Sequence, residues 1–291
     1  MGREFLLEAR GVRTYWGGCP LVMGIVNLSS DSFSGDGLSE PTLALRRAQK
    51  IVAQGADIVD IGAESARTNR APISEREEIR RMMPFVEGFS DMVANVHSQP
   101  PLLSINTWRP NVARTILNRG GHILNDVGGL ITGENASICA ETGAALVIMH
   151  SRGAPKIPHR HVRYSDVMST LRDFFLEKIC IAEQSGVKRE SLLLDPGIDF
   201  AKQRGDNLTI YRKLRMLSNF FPFPLLLPVS RKSVIGEVLG LSEPHRRDAG
   251  TVSCIVAGLL RGAAIFRVHN VKAAVHTVRT VYPMLTPSIE G

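Results

Sequence analysis

Three features of the sequence predict an α/β fold, a single (β/α)8 (TIM) barrel. Short apolar runs recur over residues 21–266, each ends in a polar loop, and most of these loops lead into a segment whose apolar residues have helical spacing. No long linker, low-complexity tract or change of composition interrupts the alternation. One barrel domain is therefore expected over residues 1–291, with residues 1–20 as an N-terminal extension or hairpin. A doubly wound open sheet is the other arrangement of alternating strands and helices. It more often has fewer strands and a Gly-rich first turn, and the chain contains no G-x-G-x-x-G or Walker sequence.

The elements follow in order. Trp16-Gly17-Gly18 is expected as the turn of the N-terminal hairpin. Residues 21–26 form the first buried strand, which breaks at Asn27 into a long loop of Ser, Asp and Gly. A helix then begins at Pro41 and stops at Gly55. Residues 58–62 are the second strand. After the polar loop 64–70, Ser74-x-x-Glu77 is a capping box before Ile79, Met82, Met83, Phe85 and Val86, which are spaced for one helical face. The third strand, 102–105, ends in Asn106-Thr107-Trp108, and Pro110 opens a helix that runs through Leu117. The fourth strand, 122–124, ends in Asn125-Asp126 and the fifth, 145–149, at His150. A long helix over 165–184 is closed by Gly186. Residues 192–194 are the sixth strand, ending at Asp195-Pro196-Gly197. Residues 223–228 are the seventh, running into Ser230-Arg231-Lys232-Ser233. A helix over 251–260 precedes the eighth strand, 263–266, which ends at Arg267-Val268-His269, and a last helix covers 272–282.

Composition narrows the function classes. A hydrophobic content of 44% suits one large core and excludes a disordered chain. The apolar runs are too short for a membrane span, and the N-terminus has no signal-peptide pattern. Four well-separated cysteines without a C-x-x-C pair fit a reducing, cytoplasmic location. The formal charge of +7 suits an anionic partner, and no basic run interleaved with aromatics points to nucleic acid. An anionic small molecule such as a phosphate ester explains the charge without nucleic acid or membrane.

Residues at the C-terminal ends of barrel strands converge on one mouth. Here they are Asn27, Glu64, Arg67, Asn106, Asn125, His150, Asp195, Lys232, Arg267 and His269. Each has a structural reading: Asn27 as a turn cap, Asn125-Asp126 and Asp195-Pro196-Gly197 as turns, Ser230 as a helix cap, His150 as a hydrogen-bonded core histidine. His159 and His161 read as loop residues. So many polar residues at the same end of successive strands point to a site. Asp195, closing an all-leucine strand, is costly to bury without donors, and a flat heterocycle with two parallel N–H groups would supply them. Asn125 offers both donor and acceptor to such a ring. Lys232 adds positive charge, and the planar Arg267 suits both ring stacking and a phosphate.

Seven segments in chain order resemble the dihydropteroate synthase family. They are Gly24-Ile25-Val26-Asn27 with Asp31-Ser32-Phe33-Ser34, Asp60-Ile61-Gly62-Ala63-Glu64-Ser65, Ile123-Leu124-Asn125-Asp126, Met149-His150, Leu194-Asp195-Pro196-Gly197-Ile198, Ser230-Arg231-Lys232-Ser233 and Arg267-Val268-His269. The resemblance implies a folate-pathway transferase that joins 6-hydroxymethyl-7,8-dihydropterin pyrophosphate to p-aminobenzoate and releases pyrophosphate. It implies that Asn125, Asp195 and Lys232 hold the pterin. Asn27 would contact Mg2+ and pyrophosphate, Arg267 and His269 the pyrophosphate, and Phe33, Arg67 and Ser233 the p-aminobenzoate. The first two loops would close over the substrates, and a homodimer is implied.

Three segments at the mouth depart from the family pattern. Asn106-Thr107 stands where the third strand usually ends Asp-Thr. Gly62-Ala63-Glu64-Ser65-Ala66-Arg67-Thr68 replaces a loop that usually reads Gly-Gly-Glu-Ser-Thr-Arg-Pro, and Ser34-Gly35-Asp36-Gly37 replaces Ser-Asp-Gly-Gly. Asn106, counted with Asp195, Lys232 and Arg267 among the catalytic residues, lacks the usual charge. Slower turnover is expected unless another carboxylate substitutes, with Asp36 as the candidate. The competing readings are a weak pterin-binding homologue with a regulatory role and a pterin-dependent methyltransferase.

Overall fold

The computed structural model describes residues 4–16, 18–28, 41–64, 71–94, 100–157 and 162–286. The chain opens with a hairpin, β1 (Phe5–Ala9) and β2 (Val12–Trp16), followed by β3 (Leu21–Asn27), α1 (Pro41–Ala53), β4 (Ile58–Gly62) and α2 (Glu75–Val93). Next come β5 (Leu102–Asn106), α3 (Pro110–Arg119), β6 (Ile123–Asp126), α4 (Glu134–Thr142), β7 (Ala145–Met149) and α5 (Val167–Gln184). The last units are β8 (Leu192–Asp195), α6 (Arg204–Phe220), β9 (Leu226–Pro228), α7 (Ser233–Leu239), α8 (Asp248–Leu259), β10 (Ile265–Val268) and α9 (Val271–Leu285).

Strands β3 to β10 form one eight-stranded sheet, ordered β8-β7-β6-β5-β4-β3-β10-β9, and the neighbouring pairs are parallel. A parallel bridge between Leu194 and Leu225, with Leu194 N–H donating to Pro224 O at 3.0 Å, joins the two ends of that order. The sheet is thus a closed (β/α)8 barrel and not an open doubly wound sheet. Closure matters energetically because it leaves no strand edge unpaired.

Side chains alternate across each strand, so every strand carries one outward and one inward set. Val59, Ile61, Leu103, Ile105, Leu124, Leu146, Ile148, Leu192 and Leu194 face the helices in the main core. Met23, Ile58, Leu102, Ile123, Ala145, Leu193, Leu226 and Ile265 fill the lower interior, where Leu7 and Ala9 of the hairpin join them. Each fully buried leucine or isoleucine contributes roughly 1.5–3 kcal/mol relative to exposure. The hairpin is a plug for the N-terminal end of the barrel.

Three local readings differ from the structure. The hairpin turns at Arg10-Gly11, both with positive φ (50° and 78°), and not at Trp16-Gly17-Gly18. A two-residue turn with both residues left-handed matches the twist of paired strands, and Arg10 is held there as its N–H donates to Gly143 O. The seventh barrel strand begins its ladder at Leu226, later than residue 223, because Pro222 and Pro224 have no N–H to donate. In α2, Ser74 Oγ does accept from Glu77 N–H at 3.2 Å, but the Glu77 carboxylate turns to Arg80 and Arg81 and not back to the cap. The helices α4, α6 and α7, which the pattern reading does not assign, supply or begin crossovers that parallel strands require.

Candidate active site

Two residues further along the inward face, the apolar interior gives way to polar groups. Asp60 on β4, Ser104 on β5, Asn125 on β6 and Asp195 on β8 are all buried there, and Asn106 and Arg267 are partly so. The period-2 rule that buries Ile58, Leu102, Ile123, Leu193 and Ile265 below requires these residues to point inward above. Register places Ser104 beside Asp60 and Asn106 beside Asn125.

Asp60 is the hub of this layer. Its Oδ1 accepts from Ser104 Oγ at 2.6 Å and from Asn125 Nδ2 at 3.1 Å. Its Oδ2 accepts from Arg267 Nε at 2.8 Å, pairs with Arg267 Nη2 at 2.7 Å, and accepts from Asn106 Nδ2 at 3.4 Å. Asn125 Oδ1 is left buried with no partner among the described residues. A buried acceptor of that kind costs about 1–3 kcal/mol until a donor reaches it.

Asp195 lies on the opposite wall. Its Oδ1 accepts from Gly197 N–H at 2.7 Å, and His150 N–H donates to its carbonyl at 2.8 Å. Burial pushes its carboxyl up to about 6, against the pull of the Gly197 N–H and the charges of Lys232, Lys202 and Arg267. Gly197 adopts φ +65°, and a Cβ there would sit 2.0 Å from His150 O, so only glycine fits the turn.

Behind this turn Lys202 is buried. Its Nζ meets His150 Nδ1 at 2.8 Å, Gly197 O at 2.9 Å and Phe200 O at 3.0 Å. Burial lowers its ammonium to about 7, with the Asp195 charge opposing. Burial, with the Lys202 charge second, lowers His150 to about 2, so its imidazole is neutral and Nδ1 accepts from the ammonium. His150 is the hydrogen-bonded core histidine that the sequence suggests.

Lys232 Nζ donates to Ile198 O at 2.8 Å and stands 4.8 Å from the centre of the Phe200 ring. Asp199 caps α7 by accepting from the Ser233 N–H and from the Val234 N–H at 3.2 Å. The loop after β8 and the start of α7 therefore form one unit. Buried Arg247 fixes that unit from below, donating to Arg231 O at 3.1 Å and Lys232 O at 3.2 Å. Ser230 does not cap α7. Its hydroxyl accepts from His269 N–H at 3.1 Å and contacts His269 Nδ1 at 2.9 Å, tying the ends of β9 and β10.

A second ion network lies past the end of β4, around Glu64. Arg109 pairs with Glu64 at 2.6 Å and with Glu78, while its Nη2 donates to Ile73 O at 2.9 Å. Lys156 reaches the other Glu64 oxygen at 3.1 Å. Breaking one partner of such a buried pair is costly because it strands the other charge.

Of the residues singled out in the sequence, Asn106, Asn125, Asp195, Lys232 and Arg267 converge on the mouth. Asn27, Ser233 and His269 stand at its rim, on the ends of β3 and β9–α7 and just past β10. Phe33 and Arg67 lie outside the described residues, as do Asp36, His159 and His161. Asp60 and Lys202 are missing from the sequence-based set. Asp60 carried a signal, a lone carboxylate inside the apolar run Ile58-Val59-Asp60-Ile61, but it precedes the strand end where catalytic residues are sought. Among the described residues no group of three His, Cys, Asp or Glu could hold a metal ion. No helix among them is long and apolar enough to cross a membrane.

Comparison with known proteins agrees with this geometry. A family model described as pterin binding enzyme matches residues 23–269. A protein of Escherichia coli (strain K12) named dihydropteroate synthase is 36% identical over 268 residues, 92% of each chain. The structure of the Yersinia pestis dihydropteroate synthase with a sulfonamide drug complex superimposes with a TM-score of 0.87 at 34% identity, over 97% of this chain and 99% of that one. The Xanthomonas albilineans enzyme in complex with 7,8-dihydropteroate gives a TM-score of 0.82 at 30% identity, over 97% and 99%.

Proposed function

The chain belongs to the dihydropteroate synthase family of pterin-binding enzymes, and from that membership we propose the chemistry of its mouth. The protein is a transferase that condenses 6-hydroxymethyl-7,8-dihydropterin pyrophosphate with p-aminobenzoate, giving 7,8-dihydropteroate and pyrophosphate. The observation that carries this reading is the acceptor-rich pocket of Asn125 Oδ1 and Asp195 facing the cationic Lys232 and Arg267. A ring edge with adjacent N–H donors satisfies the acceptors, and the cations suit an anionic leaving group.

In the reaction the amine nitrogen bonds to the methylene carbon and the carbon–oxygen bond breaks. Its electron pair leaves with pyrophosphate, and the amine releases one proton. Asp195 and Asn125 hold the pterin, with Lys232 closing the same pocket. Arg267 and His269 receive the negative charge that develops on the departing group. Ser233, with Phe33 and Arg67, shapes the p-aminobenzoate subsite, and the protein is a target of sulfonamide drugs, as the drug complex of the Yersinia pestis relative supports.

Mg2+ suits this site only in part. Asn27 supplies one hard oxygen at the rim, and Mg2+ commonly takes its remaining ligands from substrate phosphates and water. When bound it would neutralise charge on the pyrophosphate. A homodimer fits the exposed Met216, Phe220, Val238, Leu239 and Leu260, which lie on or beside the adjoining helices α6, α7 and α8. The cysteines Cys19, Cys139, Cys180 and Cys254 are all free, which suits a reducing cytoplasm.

A coupled assay of pyrophosphate release tests the reaction. Release from the dihydropterin pyrophosphate should require p-aminobenzoate and match dihydropteroate formed. Release independent of the amine would replace the synthase reading with a hydrolytic one, and binding without turnover would restore the weak-homologue reading.

A further inference from the structure

Asp60 receives donors from β5, β6 and β10 at once: Ser104 Oγ at 2.6 Å, Asn125 Nδ2 at 3.1 Å, Asn106 Nδ2 at 3.4 Å and Arg267 Nε at 2.8 Å. It is completely buried, and it shares the inward layer with the ring-binding groups. An ionised carboxylate accepts and never donates. An asparagine beside it must therefore turn its NH2 toward the carboxylate and its carbonyl away. The unpartnered, buried Asn125 Oδ1 is the direct product of that constraint.

We propose that Asp60 is a positioning residue that sets the hydrogen-bonding polarity of the ring site, by locking the Asn106 and Asn125 amides with their carbonyl oxygens free for the ligand. Arg267 is held on the same carboxylate, so the acceptor face and the cation above it share one anchor. Together with Asp195 the lock presents the amide carbonyls and a carboxylate to the ligand as acceptors. The ligand class this selects is a planar ring whose edge donates, as a 2-amino-4-oxo ring with a ring N–H does. A ring with a carbonyl in place of the 2-amino group would set oxygen against oxygen.

The same lock accounts for Asn106. Its amide is polarised by Asp60 at 3.4 Å, so part of the Asp60 charge is expressed at the Asn106 carbonyl. Asp60 is thereby a carboxylate that can compensate for the amide at position 106, beside the Asp36 expected from the sequence. An aspartate at 106 would instead set a second carboxylate against Asp60, with no amide to donate to it.

The ligand named here rests on the synthase reading, but the lock itself is a property of the free protein and is tested there first. With 15N-asparagine labelling, the side-chain amides of Asn106 and Asn125 should be shifted downfield and protected from solvent exchange in the wild type. Fast exchange of both amides in the wild type overturns the proposal without recourse to any variant. In Asp60→Asn the two signals should move upfield. Calorimetry then compares 6-hydroxymethyl-7,8-dihydropterin with its 2-oxo counterpart. The wild-type preference for the 2-amino ring should shrink by roughly 10-fold or more in Asp60→Asn, because a freed amide can turn to suit either ring. A folded Asp60→Asn with unchanged amide signals and unchanged preference overturns the proposal. If the wild type binds neither ring, the pterin reading fails, and the amide signals still decide the lock.

Discussion

At its lower end the barrel packs Met23, Ile58, Leu102, Ile123, Leu193 and Ile265 against Leu7 and Ala9 of the hairpin. Two residues further along five of the same strands the interior is Asp60, Ser104, Asn125, Asp195 and the partly exposed Arg267. The lower layer has satisfied every demand by itself: its groups are apolar and the plug excludes water. The upper layer holds a carboxylate raised to about 6 and an acceptor with no partner. One end is finished by folding and the other only by a ligand. Stability and recognition are separated along the barrel axis, which allows the mouth to carry strain that the plug and core offset.

The largest effect should come from the plug. Leu7→Ala, at a fully buried position, should cost about 2–5 kcal/mol of unfolding free energy. Denaturant midpoints measure that loss, while calorimetry on the folded variant should return wild-type pterin affinity. A matched loss of affinity would show that the two ends are mechanically coupled.

Asp195→Asn should do the reverse. Losing a charged hydrogen bond to the ring should weaken pterin binding by about 1.5–3 kcal/mol, roughly 10- to 150-fold. The free protein should gain in compensation. The folded carboxyl is raised to about 6, so its favourable contribution is complete below the unfolded value near 3.9 and is lost as pH rises through 6. Between pH 4 and 6.5, therefore, Asp195→Asn should become progressively more stable than the wild type, by on the order of 2 kcal/mol. Parallel stability curves for the two proteins over that range would place the Asp195 charge elsewhere than in a buried, unpaid position.

Arg267→Ala divides the mouth more finely. The pyrophosphate-bearing substrate should weaken by about 10- to 100-fold, and the plain hydroxymethyl-dihydropterin distinctly less, since a phosphate contact is lost only in the first. Equal weakening would mean that Arg267 acts through the ring, or through Asp60, which loses its cation in this variant.

The smallest effect is expected at the outer edge of the plug. Lys188 pairs with Glu8 there, and its side chain is 63% exposed. Water and salt screen such a pair, so Lys188→Ala should leave the melting temperature within error of wild type. A clear drop would show that the hairpin is held by its charges as well as by Leu7 and Ala9.

Much of this was legible in the chain. The lone apolar runs located all eight barrel strands, and the polar residues at their ends included Asn106, Asn125, Asp195, Lys232 and Arg267, which the structure brings together. The hairpin turn was misplaced because Gly17-Gly18 is the stronger glycine signal, whereas the turn that forms uses Arg10-Gly11. Asp60 stands out as a lone carboxylate in an apolar strand, but it precedes the strand end, and its role depends on partners from β5, β6 and β10. Lys202 escaped because a lysine in a polar loop looks solvated, and nothing local says that His150 will sit at 2.8 Å from it.

By itself the sequence determined the alternation of strand and helix and the side of each strand that turns inward, since both follow from periodicity among near neighbours. Tertiary structure alone decided which inward groups meet. Asp60 and Arg267 are 207 positions apart, and only closure of the sheet through β3 and β10 brings their side chains within 2.8 Å. The polarity of the mouth is likewise a property of closure: an amide's orientation is set by the carboxylate facing it, and that neighbour comes from a different strand.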